Sequence, residues 1–194
     1  KYNDDVASSE EFKDMLQDII DELLEYDHYV MYTFTSMNSK SDYTYIQNPD
    51  GSEGKIRKPI DVTITAGYRT TLEQEDYVNN RVNEILDNII EDGMSDQLKA
   101  KAIHNYIVNN VEYDTSLSRF TAYEALYDGK AVCQGYTLLA YKMLNDAGVP
   151  TRIISIAQMK HSWNLVKIDG QWLHMDITWD DPIPDVKGKV LEDH

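Results

Sequence analysis

The pair Asp169-Gly170 constrains this chain more than any other feature. It lies between two runs of alternating residues, 161–168 and 171–178, and Asp-Gly is a preferred two-residue hairpin loop because both positions must adopt positive φ. So short a loop leaves no freedom in register: Ile168 faces Gln171, Lys167 faces Trp172, Leu165 faces His174, Trp163 faces Asp176 and His161 faces Thr178. Alternation then sets His161 and Asp176 on one face as diagonal neighbours. Their backbones lie about 7–8 Å apart, a gap that two leaning side chains can close to a hydrogen bond.

Just upstream the period changes. Over 134–147, Tyr136, Leu139, Ala140, Met143, Leu144 and Ala147 recur at helical spacing, Gly148 and Pro150 end the run, and 151–157 reads as a further strand. Cys133 stands three residues ahead of Tyr136, which puts it in the first turn of that helix on the inward stripe. Unpaired N–H groups and the positive end of the helix dipole favour a thiolate there, and the thiolate is the nucleophilic form. A lone cysteine is ordinarily a small buried hydrophobe, so its position gains meaning only beside the hairpin. An imidazole held by a carboxylate through one ring nitrogen keeps the other free to take a thiol proton and later return it to a leaving group. His161, His174 and Asp176 could also ligate zinc, but the chain has neither a helical H-x-x-x-H pair nor a second cysteine, so no metal site is assigned. His174 lies too far along the face to join His161, and His28 and His104 read as incidental.

The upstream part has a different texture. Ser8 and Glu11 fit a capping box for a helix that carries Phe12, Leu16, Ile19, Leu23 and Leu24 and ends near Tyr26. Segments 29–35, 43–46 and 61–69 are rich in β-formers, with Val62, Ile64, Ala66 and Tyr68 alternating, while 37–42 reads as a polar loop and Asn48-Pro49-Asp50-Gly51 as a turn. From Thr71 the period is helical again. Val78, Val82, Ile85 and Ile89 form one face up to Gly93, and Ser95 caps a helix with Leu98, Ala102, Tyr106 and Ile107 inward. A seam near residue 70 divides an N-terminal helix and small antiparallel sheet, 1–70, from a second part, 71–194.

Charge narrows the partners. With 34 acidic residues against 18 basic and a net charge of −16, the chain repels phosphate backbones and anionic head groups. The cluster Lys55, Arg57 and Lys58 is too short to form a basic stripe, and no nucleic acid is expected as a partner. No apolar run approaches the ~18 residues of a membrane span. Cys133 is the single cysteine, so no internal disulfide forms. A chain of 194 residues buries roughly 70% of its unfolded surface and needs neither staple nor metal for a core.

Three blocks carry a resemblance to a known family. Tyr123-Glu124-Ala125-Leu126 through Gly129-Lys130-Ala131-Val132-Cys133-Gln134-Gly135-Tyr136 comes first, then His161-Ser162-Trp163-Asn164, then Asp176-Ile177-Thr178-Trp179-Asp180-Asp181-Pro182. In that order they resemble the nucleophile, histidine and aspartate segments of the transglutaminase-like superfamily, the papain-related fold that includes many bacterial proteins. Val111-Glu112-Tyr113-Asp114 resembles its usual upstream stretch. The likeness covers roughly Ser95 to Pro182. It implies an α+β protein with a transglutaminase-like or papain-like core, in which the nucleophile helix packs on an antiparallel sheet, preceded by the N-terminal helix and small sheet.

By that resemblance Cys133 is the nucleophile, His161 the base and Asp176 the orienting acid, the trio that the hairpin geometry also draws together. The backbone N–H of Cys133 is the natural first oxyanion donor, and the second is unassigned. The implied reaction is attack on an amide carbonyl of a protein or peptide to form a thioester. The acyl group then passes to water, as in a cysteine protease or amidase, or to an amine, as in a cross-linking transglutaminase. A non-catalytic cell-surface module that retains the fold is the third reading. No cofactor is implied, and the calcium loops and β-sandwich domains of animal transglutaminases are not recognisable. Tyr136, Trp163 and Trp179, with Trp172, are candidates for a substrate-binding wall. An extracytoplasmic setting is expected, because many bacterial members are exported and residues 1–6 hold no initiator Met; oligomeric state is not indicated.

Overall fold

The computed structural model describes residues 9–181. The chain divides into two compact units, Lys1–Tyr68 and Arg69–His194. In the first, helix α1 spans Ser9–Tyr26 and buries Phe12 and Ile20; the Ser8 cap expected for it lies outside the described residues. The Asp27 carboxylate accepts from the backbone N–H of Tyr29 (2.9 Å) and Val30 (3.2 Å), and so starts helix α2, His28–Thr33. This corrects the expectation of a strand over 29–35: the local cap outweighs the β preference of the Tyr and Val residues that follow it.

Strands β1, Phe34–Gln47, and β2, Glu53–Tyr68, form one long antiparallel hairpin. Residues 37–42, expected as a polar loop, pair one for one with 66–61 of the alternating run. A continuous partner satisfies the backbone groups whatever the side chains are. At the turn the Gly51 N–H donates to the Asn48 carbonyl at 2.9 Å, with Gly51 at φ +84°.

The second unit opens with α3, Leu72–Ile89, started by a capping box between Thr71 and Gln74 and buried along Val78, Val82 and Ile85. Helix α4, Asp96–Asn110, starts where Ser95 Oγ accepts from the Leu98 N–H at 3.3 Å. Its inward stripe is Ala100, Ile103, Ile107 and Val108, whereas Leu98, expected inward, is 55% exposed in the first turn. Short elements follow: β3, Glu112–Tyr113; α5, Ala122–Tyr127, capped reciprocally by Thr121 and Glu124; and β4, Lys130–Ala131, parallel to β3.

Helix α6, Cys133–Asp146, is the core element. Leu138, Leu139, Ala140, Met143 and Leu144 are all at 0% exposure, each leucine worth about 1.5–3 kcal/mol of burial. Gly148 at φ +81° ends the run. Strands β5, Thr151–Ile156, β6, His161–Ile168, and β7, Gln171–Met175, form an antiparallel sheet in the order β5-β6-β7. Ser162, Asn164 and Val166 are the buried face of β6, and Asn164 donates to the Thr137 carbonyl of α6 at 3.2 Å. The architecture is α+β, helices with small antiparallel sheets, and among the described residues no helix is long and apolar enough to cross a membrane.

The hairpin register runs as expected from Ile168↔Gln171 through Leu165↔His174 to Asn164↔Met175, and there it stops. The expected pairs Trp163–Asp176 and His161–Thr178 do not form. Asp176 leaves the ladder to cap α7, Ile177–Asp180, its Oδ1 accepting from the Trp179 N–H at 3.3 Å. A carboxylate that can satisfy a helix start competes with one more rung of sheet, and here the cap wins.

Candidate active site

Cys133 is the first residue of α6, and Val132 before it supplies no side-chain cap. The half-buried thiol therefore sits at the positive end of an uncapped helix dipole. It donates to the Lys160 carbonyl at 3.9 Å, the residue immediately before His161. One turn along, the Thr137 hydroxyl proton lies between two carbonyls, Cys133 at 2.8 Å and Ser162 at 2.9 Å. These bonds tie the first turn of α6 to the start of β6. Lys160 itself has φ +49°, a left-handed conformation in a residue with a Cβ, and it carries local strain of about 1–3 kcal/mol. That conformation is where the chain turns its carbonyl to the thiol before entering β6.

His161 Nε2 and Asp176 Oδ2 are 2.6 Å apart, with side chains 11% and 14% exposed. The pair forms although the ladder ends early, because the α7 cap holds Asp176 beside the start of β6. With Nε2 engaged, Nδ1 is the ring nitrogen left for other chemistry. Two indoles stack near the imidazole: Trp163, centroid 5.6 Å away and 23° from parallel, and Trp179, 5.6 Å and 28°. Trp163 Nε1 donates in turn to His174 Nδ1 at 2.8 Å. An indole N–H can only donate, so His174 holds Nδ1 as an acceptor. His174 thus reaches the site through Trp163.

The structure corrects two members of the expected substrate wall. Tyr136 is 1% exposed and its hydroxyl donates to the buried Asp181 carboxylate, so it faces the core rather than a ligand. Trp163 and Trp179 do stand at the site, and Trp179 is 56% exposed. Trp172 lies instead under Arg152, 4.7 Å from the guanidinium carbon.

Sequence reasoning missed His104. It projects from α4 to Asp180 of α7, Nε2 to Oδ2 2.9 Å, with side chains 12% and 4% exposed. Together with Tyr136 and Asp181 this pair fixes α7, and through it Asp176. Seventy-six positions separate the two residues, so no spacing rule links them; only the carboxylate-rich end of the third block offered a signal.

Asp114, just after β3, organises the loop beside the cysteine. Its carboxylate accepts from the backbone N–H of Ser116 (3.1 Å), Ser118 (2.9 Å) and Arg119 (3.0 Å) and from the Ser116 hydroxyl (2.6 Å). The Asp114 N–H donates to Ala131, and the Arg119 carbonyl accepts from Val132, both at 2.8 Å. The Ser116 hydroxyl first, and then the backbone N–H of Ser118, hold this carboxyl well below the usual aspartate range. A folded-state value below the unfolded ~3.9 makes the stabilisation complete above about pH 4, and it fades as pH falls through the folded value. Wild type and Asp114→Asn are expected to differ in Tm at pH 7 and to converge as the pH is lowered below 4; a gap independent of pH would show that the charge contributes nothing.

The model of the family described as the transglutaminase-like superfamily matches residues 83–177. The chain is similar to kyphoscoliosis peptidase of Mus musculus, 25% identical over 122 residues, which are 53% of this chain and 18% of that protein. The Homo sapiens protein of the same name is 24% identical over 118 residues, 50% of this chain and again 18% of the relative. The chain thus spans under a fifth of the length of these curated relatives. A crystal structure of a TGase aligns over 73% of this chain and 44% of its own, with 16% identity and a TM-score of 0.45.

Proposed function

We propose that the site of this chain, whose residues 83–177 match the model of the transglutaminase-like superfamily, performs thiol-dependent acyl transfer at an amide carbonyl of a protein or peptide. Cys133 is the nucleophile, His161 the general base and acid, and Asp176 the group that orients the imidazole. The observation that carries this reading is the 2.6 Å bond from Asp176 to His161 Nε2, on a strand whose preceding carbonyl meets the Cys133 thiol. Asp176 selects the tautomer whose Nδ1 is free to accept, so the thiol proton moves to Nδ1 and leaves a thiolate at the helix N-terminus. The thiolate adds to the carbonyl carbon. Collapse of the tetrahedral adduct expels the amine, which takes the proton back from His161, and a thioester remains.

Water or an amine then resolves the thioester. The curated relatives are named peptidases, which supports water as the acceptor. A fluorescent primary amine offered with a glutamine-bearing protein separates the two: incorporation marks cross-linking, and cleavage without incorporation marks hydrolysis.

The first test is alkylation by iodoacetamide against pH in the folded protein. A thiolate paired with an imidazolium reacts well below pH ~7, whereas an ordinary thiol follows an ionisation near ~8.5. The expected result is alkylation of the folded protein at a rate that falls by about 10²-fold in His161→Ala. A thiol that reacts only after denaturation would sink the catalytic reading and leave a binding module.

A further inference from the structure

One catalytic part is missing from the site as described. The adduct formed at Cys133 carries an oxyanion, and the Cys133 N–H accounts for a single donor. Parallel strands β3 and β4 pair Tyr113 with Ala131, two residues before the cysteine. Paired residues in a ladder project their side chains to the same side. For Ala131 that side is fixed: its Cβ lies 2.5 Å from where a Cβ on Gly135 would sit, so it points into the first turn of α6. Tyr113 leaves the ladder toward that same turn.

Tyr113 is half-buried, and its hydroxyl makes no hydrogen bond among the described residues. Its backbone is held hard in place, because Asp114 beside it donates to Ala131 and gathers the Ser116–Arg119 amides. Burial, and then the negative charges of Cys133 and Asp114, push the phenol above the ordinary tyrosine range. The hydroxyl therefore keeps its proton throughout the working range.

We propose that the Tyr113 hydroxyl is the second oxyanion donor, acting with the Cys133 N–H on the tetrahedral adduct. The inference rests on the acyl-transfer reading above. When the thiolate adds to the carbonyl carbon, the displaced π pair collects on oxygen; Tyr113 donates a hydrogen bond to it without transferring its proton. When the pair returns, the carbon–leaving-group bond breaks and the thioester forms.

Two probes separate this role from the rest of the site. Iodoacetamide alkylates the thiolate by displacement and forms no oxyanion, whereas p-nitrophenyl acetate acylates it through one. In Tyr113→Phe, which removes only an oxygen with no hydrogen-bond partner among the described residues, the alkylation profile against pH is expected to match wild type within twofold. Acylation, read as the p-nitrophenolate burst, is expected to fall by about 10²-fold. Acylation within threefold of wild type overturns the proposal, and so does a parallel fall in both rates, which would place Tyr113 in thiolate formation. Wild-type protein that alkylates only as an ordinary thiol overturns the acyl-transfer reading itself, before the variant is compared. Near-UV circular dichroism unchanged in Tyr113→Phe verifies that the two proteins share one fold.

Discussion

Asp176→Ala is expected to lower the acylation rate of Cys133 by about 10⁴-fold, the scale seen when the carboxylate of a nucleophile–histidine–carboxylate triad is removed. One carboxylate holds two parts here: Oδ2 meets His161 Nε2 at 2.6 Å, and Oδ1 accepts the Trp179 N–H at 3.3 Å. Its loss frees the imidazole to take the other tautomer and releases the start of α7, which carries one of the two indoles stacked on His161. Asp176→Asn should fall between wild type and alanine, because an amide has one acceptor oxygen and two groups to satisfy. The measurement is the p-nitrophenolate burst for all three proteins, with Tm alongside. An alanine variant within tenfold of wild type would mean that Trp163 and Trp179 alone orient His161, and the orienting role would pass to the indoles.

The sequence was most legible where a short loop left one geometry. Asp169-Gly170 set the β6–β7 register, and the stripe from Tyr136 to Leu144 set the buried face of α6 with Cys133 at its start. Legibility failed where a local cap or a distant partner decided the outcome. Asp27 turned a β-rich run into α2, and Asp176 ended β7 three residues before the alternation did. Strands β3 and β4 are two residues each, too short for any period to show, yet they align Tyr113 with the approach to Cys133. His104 looked incidental on its helix because its partner Asp180 belongs to a turn of chain that only the folded unit brings near. Tyr136 fitted an aromatic wall by proximity in sequence, but its ring is buried and its hydroxyl is taken by the Asp181 carboxylate, a partner that no spacing rule links to it.

The close seat of α6 on β4 leads to the other large effect. A Cβ at Gly135 would lie 2.5 Å from Ala131 Cβ and 3.1 Å from the Thr121 carbonyl oxygen. Neither obstacle is the end of a flexible side chain, so Gly135→Ala must move the first turn of the helix itself. Overpacking of this kind costs about 1–3 kcal/mol of stability. The kinetic cost is expected to be larger than that figure suggests, because the turn that shifts carries Cys133, and a displacement near 1 Å at a reacting group costs about 10²-fold in rate. The diagnostic partner is Ala131→Gly, which removes the opposing methyl. The double variant Ala131→Gly/Gly135→Ala is expected to recover much of the p-nitrophenyl acetate burst while remaining less stable than wild type, since the added glycine loosens β4 and the Thr121 contact persists. Recovery of stability without recovery of rate would separate packing from positioning and show that the seat of α6 does not aim the thiol. A Gly135→Ala protein as fast as wild type would overturn the close approach as the source of the site's geometry.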